Sequence, residues 1–186
     1  MSFTWTAHRF SGGALALDVA NSVVLRFDPQ RRIDRFADEA AIDSFAEAAN
    51  LHGAEKERFG TLGPIGPGRR ASLIGLREAA DRHFRAQVLA EERPELLADL
   101  LEAIAAVIRQ PAHSGPSIAL DVATAQSALS LVANPEPDRL KICPNCEWLF
   151  LDRSRNRSRT WCDMAVCGNR TKAKRHYRRN KEGNQP

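Results

Sequence analysis

Four cysteines, and the spacing between them, constrain this chain more than anything else in it. They stand as Cys143-x2-Cys146, then fifteen residues, then Cys162-x4-Cys167. A Cys-x2-Cys turn lets two thiolates reach one ion, and Pro144-Asn145 between them suits a tight turn with amide N–H groups aimed at sulfur. The second pair meets the first across a loop of the length structural zinc sites use. Four thiolates around a tetrahedral ion leave no position for water, so the expected site is structural and not catalytic. One structural Zn2+ on Cys143, Cys146, Cys162 and Cys167 is the expectation. Free thiols, disulfides and an iron–sulfur cluster are the alternatives; the spacing and the Arg-rich interior favour zinc over iron–sulfur.

Charge divides the chain at the same place. Residues 1–140 hold 15 Lys+Arg against 19 Asp+Glu, a balance of −4; residues 141–186 hold 12 against 4, a balance of +8. A mildly acidic body thus carries a strongly basic tip, which points to a polyanionic partner, nucleic acid before an anionic membrane surface. The N-terminus has no basic segment ahead of an uninterrupted apolar run, since Arg9, Asp18 and Arg26 interrupt it. No signal peptide or membrane span is expected, and the expected compartment is the cytoplasm.

The body reads as a set of helices. Residues 14–27, ALALDVANSVVLRF, are apolar on most faces and predict a buried helix closed by Pro29. Residues 38–51 place Ala41, Phe45, Ala48 and Ala49 on one face, with acids at the start and Gly53 as a stop. Leu73, Leu76, Ala80, Phe84 and Val88 form the next stripe. Beyond Pro94, Leu97, Leu100, Leu101, Ile104 and Ile108 form another, and the short connection predicts an antiparallel pair. Residues 121–134 predict a further helix with Asp121 as its cap. NPEPDR reads as a linker. The expected division is therefore a helical domain over 1–134, a linker over 135–140, a metal module over 141–181 and a tail over 182–186.

In the tip, EWLFLD alternates as a short strand, with Trp148 and Phe150 on one face and Leu149 and Leu151 on the other. Trp161 stands beside Cys162 and is expected to shield the metal. Gly168 permits a positive φ for a sharp exit from the site. Asn169 is a candidate cap for a basic helix over 170–180, in which Ala173 and Tyr177 could pack on the metal core. Arg170, Lys172, Lys174, Arg175, Arg178 and Arg179 would cover the rest of that helix. The loop 152–160 adds Arg153, Arg155, Arg157 and Arg159 between Ser and Asn residues. It reads either as a phosphate-contacting surface or as a solvated loop. A tip of about 45 residues has too little core to fold alone, so the metal would supply the missing stability.

These residues resemble the CGNR zinc finger: Cys143-Pro-Asn-Cys146, Trp-Leu-Phe-Leu-Asp, the Ser/Asn/Arg loop, Trp161-Cys162-Asp-Met164, and Cys167-Gly168-Asn169-Arg170 with Lys172 and Lys174. In that family the finger follows a helical domain called ABATE. The stretch GGALALDVANSV is similar to that domain's opening Leu-Asp-x-x-Asn-Thr signature, with Ser22 where threonine is usual. The family is described as bacterial stress-responsive transcription regulators. The resemblance implies DNA binding by the finger and sensing or assembly by the body.

Asp18 and Asn21 lie three apart on an apolar stretch and read as a polar contact in a ligand pocket or as a buried pair satisfying backbone groups. His8, His52, His83 and His113 show no ligand spacing, and His176 sits in the basic helix. No nucleophile elbow, P-loop or dinucleotide fingerprint occurs, and the cysteines are committed to metal, so no enzyme is expected. The expected fold class is mainly α, a helical N-terminal domain plus a small treble-type zinc module of short strands and a basic helix. The expected partner is nucleic acid, duplex DNA first, with a homodimer and a small-molecule effector as further possibilities and no membrane. Structured RNA, or a pocket in the helical body, are the competing readings.

Overall fold

A computed structural model describes residues 3–111, 116–173 and 177. Mostly helical, it carries a four-cysteine module with short strands at its C-terminal end. A 3-10 turn at Ala7–Phe10 leads into α1 (Leu15–Ala20), β1 (Val23–Val24) and β2 (Ile33–Asp34), the two strands pairing antiparallel. Then follow α2 (Glu39–His52), α3 (Lys56–Phe59), β3 (Leu62–Gly63), α4 (Arg70–Leu89), α5 (Pro94–Ile108), β4 (Ile118–Ala119) and α6 (Leu120–Ala133). Strands β3 and β4 form a two-residue parallel pair. The chain closes with β5 (Leu140–Ile142), β6 (Leu149–Leu151) and a π-helical turn at Met164–Gly168.

The helix expected over 14–27 stops at Ala20. Asn21 turns its side chain out of the helix to pair with a distant backbone, and the β-branched Val23 and Val24 then go into a strand. The helix over 38–51 is present as α2. Asp38 caps it through Ala40 N, and Ala41, Phe45, Ala48 and Ala49 are buried. On α5 the buried stripe is Leu96, Leu100, Ile104 and Val107, while Leu101 and Ile108 face outward. The expected stripe is therefore rotated, because apolar residues cover more of α5 than the face that packs, and Glu95, Asp99 and Glu102 mark only the opposite side. Asp121 does not cap α6 with its side chain; fully buried, it pairs with Arg69 at 2.8 Å.

Two hydrophobic cores result. One gathers Trp5, Phe10, Phe36 and Phe45 beneath α2, with Trp5 Nε1 donating to Ala41 O at 2.8 Å. The other joins α1, α4, α5 and α6, and it takes in Leu140, Leu149 and Leu151 from the β5–β6 hairpin. Phe150 on the opposite face of β6, and Trp148 just before the strand, belong to a third cluster around the four cysteines. One three-residue strand therefore serves two cores. The alternation read from EWLFLD has a physical reason: both faces of β6 are covered. Burying Leu149 and Leu151 contributes about 1.5–3 kcal/mol each, and it ties the tip to the body across the 135–140 segment.

Candidate metal centre and basic surface

Antiparallel pairing of β5 and β6, Leu140 with Leu151 and Ile142 with Leu149, brings the Cys143–Cys146 turn to the hairpin's end. Cys143 N donates to Trp148 O, and Glu147 N donates to Cys143 O, both at 2.8 Å. Glu147 completes the turn at φ 64°, a left-handed conformation that a non-glycine residue adopts at a cost. The second pair comes from the start of the last helix. Asp163 caps that helix by accepting from Ala165 N and Val166 N, Cys162 lies just ahead of it, and Cys167 lies inside its first turns.

All four Sγ atoms lie within 4.8 Å of one another, and all four cysteines are buried. Cys146 and Cys162 sulfurs stand 3.5 Å apart, and Cys162 and Cys167 sulfurs 3.6 Å. A disulfide would need about 2.05 Å; thiolates around a tetrahedral zinc-sized ion stand about 3.8 Å apart, given metal–sulfur bonds near 2.3 Å. The spacing fits a shared metal. Four buried sulfurs this close repel one another as thiolates, so they cannot all ionise unaided. A divalent cation resolves this conflict by stabilising every thiolate at once. Asn145 Nδ2 donates to Cys167 Sγ at 3.4 Å, a contact that orients the sulfur from outside the cluster.

Three expectations at this site are corrected. Gly168 has no positive φ; it sits within the π-helical turn, where a Cβ would run into Met164 Sδ and stand 3.2 Å from Trp161 Cδ1. Its smallness, and not its backbone freedom, is what the site uses. Asn169 is not the helix cap, because the helix begins earlier, at Asp163; Asn169 Nδ2 donates back to Ala165 O at 3.0 Å. Tyr177 is 74% exposed and Ala173 is exposed, so neither packs on the metal cluster. The covering residues are Trp148, Phe150, Trp161 and Val24.

Residues 139–180 match the family model of the CGNR zinc finger. The match takes in the four clustered cysteines of the finger and stops short of the helical body. No curated protein and no solved structure matches the chain.

Around the finger the basic residues divide. Arg170 and Lys172 are exposed on the helix. Lys174, Arg175, Arg178 and Arg179, with His176, lie outside the described residues. In the loop, Arg153 pairs with Glu136 and Arg157 with Asp138, each at 2.7 Å and at the surface, where such pairs contribute little. Arg159 turns inward, over the Phe150 ring at 5.2 Å and donating to Cys162 O. Arg155 is exposed. Asp152 organises this loop. It accepts from Lys141 Nζ, from Ser154 N and Oγ and from Arg159 N. Burial works to raise its pKa, but these donors together hold the carboxyl well below its ordinary range.

Asp18 and Asn21 line none of the five main cavities among the described residues, and they form the joint between body and finger. Asn21 Nδ2 donates to Leu149 O at 2.8 Å and its Oδ1 accepts from Leu149 N at 3.0 Å. Asp18 Oδ1 accepts from Gly12 N at 2.8 Å, and Gly12 O accepts from Leu151 N at 2.8 Å. Gly12 leaves no room for a Cβ, which would stand 2.7 Å from Asp18 Oδ1; Gly13 takes φ +79° beside Leu151. The Gly-Gly…Asp…Asn pattern thus cradles β6. Asp18 Oδ2 has no partner among the described residues, and burial raises the carboxyl pKa well above its ordinary value.

His8 is a site residue the sequence did not mark. Its Nδ1 lies 2.9 Å from Asp163 Oδ2, and its ring lies 5.3 Å from Trp148. The neighbouring Cys167, the largest influence, and then Asp163 raise its pKa against the effect of burial. Its partners Trp148 and Asp163 are 140 and 155 residues away in sequence, so no local spacing could reveal them. Among the described residues, no helix is long and apolar enough to cross a membrane.

Proposed function

We propose that this chain is a DNA-binding transcription regulator of the stress-responsive kind implied by its resemblance to the CGNR and ABATE families, acting in the cytoplasm and without catalysis. One Zn2+ on Cys143, Cys146, Cys162 and Cys167 holds the finger, and the helix that begins at Asp163 carries its basic residues to the phosphates. The observation that supports this most is the position of Cys167. The metal would grip the first turns of the helix that bears exposed Arg170 and Lys172, so metal binding orients a basic surface. A competition assay tests the reading: labelled duplex DNA bound by the zinc-loaded chain is challenged with unlabelled duplex and with structured RNA. Preferential displacement by particular duplex sequences is expected. Displacement by RNA alone would move the finger to an RNA partner.

A second reading concerns the body. A cleft of about 840 Å³ opens between α4, the start of α5 and the β1–β2 turn. Phe27, Leu89 and Leu96 give it apolar walls, and Arg26, Arg85 and Asp81 form a charged floor. That size suits a small effector. A compound panel scored by melting temperature tests it: a hit that raises the wild-type value and fails with Phe27→Ala supports an effector site, and equal stabilisation of both proteins would remove it.

A further inference from the structure

Two arginines from separate segments of the body meet on one aromatic ring beside the finger. Arg9 belongs to the 3-10 turn at Ala7–Phe10, Arg35 opens the turn after β2, and Arg170 lies on the finger helix. Arg9 and Arg35 flank a single ring: their guanidinium carbons stand 5.6 and 4.2 Å from the centroid of Phe3. Arg9 also stands 5.4 Å from the Trp148 ring, which fixes it against the finger. Several arginines elsewhere in the body are held in carboxylate pairs, as Arg26, Arg69, Arg77 and Arg85 are. Among the described residues no carboxylate lies within ion-pair reach of Arg9, Arg35 or Arg170. Arg35 Nε is buried and has no hydrogen-bond partner among those residues. Arg9 has its pKa lowered, first by burial and then by the charges of Arg35 and Arg170.

Aromatic stacking holds these cations in place but leaves their hydrogen-bond donors unused. Four thiolates outweigh the charge of a divalent ion, and this excess gives Arg9 a counter-charge. It does not explain Arg35, whose neighbour is Phe3 and whose Nε stays unmatched. Two guanidinium groups gathered on one ring without an acid match an anion with several acceptor oxygens, and phosphate fits their fork geometry.

We propose that Arg9 and Arg35 of the body form a composite phosphate site beside Trp148 of the finger, so that the nucleic-acid contact extends from the finger onto the helical body. This inference rests on the nucleic-acid reading above, and the test separates the two. Binding of a 20-bp duplex to the zinc-loaded full chain is followed by fluorescence anisotropy across a salt series, for wild type, Arg9→Gln, Arg35→Gln and the double variant. Zinc content is measured on every sample. Losing one neutralised phosphate lowers the slope of log K against log salt by about 0.9. A slope lower by about 0.9 in the double variant, and by part of that in each single variant, is therefore expected, with one zinc retained. Arg35→Lys, which keeps the charge, should keep the slope. Unchanged slope and affinity in zinc-loaded Arg35→Gln would overturn the composite site while leaving nucleic-acid binding intact. Should a Gln variant lose its zinc or its fold, arginine modification of the wild-type chain decides instead. Arg9 and Arg35 protected by duplex support the site, and equal labelling with and without duplex overturns it. A wild-type chain that binds no nucleic acid would sink the parent reading. Inorganic phosphate then decides for the site: a melting-temperature rise that disappears in Arg35→Gln assigns it to free phosphate, and no rise overturns it.

Discussion

Asn21 is the residue on which the joint between body and finger turns. It satisfies both backbone groups of Leu149, and a buried backbone group left without a partner costs about 1–3 kcal/mol. Asn21→Ala is expected to lower unfolding free energy by about 2–4 kcal/mol, read by urea denaturation; a drop under about 0.5 kcal/mol would contradict the role. Asp18 gives a pH signature. Its folded pKa is raised, so the buried carboxyl opposes folding when ionised, and this cost is relieved as pH falls through the folded value toward about 3.9. Asp18→Asn keeps the acceptor for Gly12 N but cannot titrate. Relative to wild type it should therefore gain stability at alkaline pH and lose that advantage as pH falls; parallel stability–pH curves would refute this. The four-cysteine cluster is legible in the sequence because its members stand at short fixed spacings. Gly168 misleads, because a glycine signals backbone freedom and close packing alike.

At the scale of elements, β6 is readable down to its faces and α5 is not. Alternation in Trp148, Leu149, Phe150 and Leu151 assigns each side chain to one of two cores. On α5, Leu96, Leu97, Leu100, Leu101 and Ile104 offer overlapping stripes, and only the packing partners choose Leu96 and Val107 over Leu101 and Ile108. The finger helix depends on its cap and on Cys167 more than on its own propensity. Asp163→Ala removes the acceptor for Ala165 N and Val166 N and also the partner of His8. It is expected to cost about 1 kcal/mol and to weaken zinc retention against a competing chelator. Unchanged retention would show that the cap does not position Cys167.

For the molecule as a whole, composition divides the chain at 135–140 while the hydrophobic packing runs across that division. Leu149 and Leu151 lie in a core with α1, α4, α5 and α6, and His8 and Asn21 reach the finger from the body. These two links join residues 155 and 128 positions apart, beyond the reach of any local pattern. The three tryptophans report on both sides: Trp5 sits in the body core, Trp148 and Trp161 at the finger. Zinc-loaded protein is expected to melt in one transition, with Trp5-only and finger-Trp-only variants giving the same midpoint; separate midpoints would show two independent units. The most direct test of zinc-dependent DNA binding is metal content followed by chelation on one sample, with duplex-DNA binding as the readout. One zinc per chain, with DNA binding abolished on chelation and restored by zinc, is the predicted result. A chain that carries no metal, or that binds DNA equally with and without it, would contradict that claim.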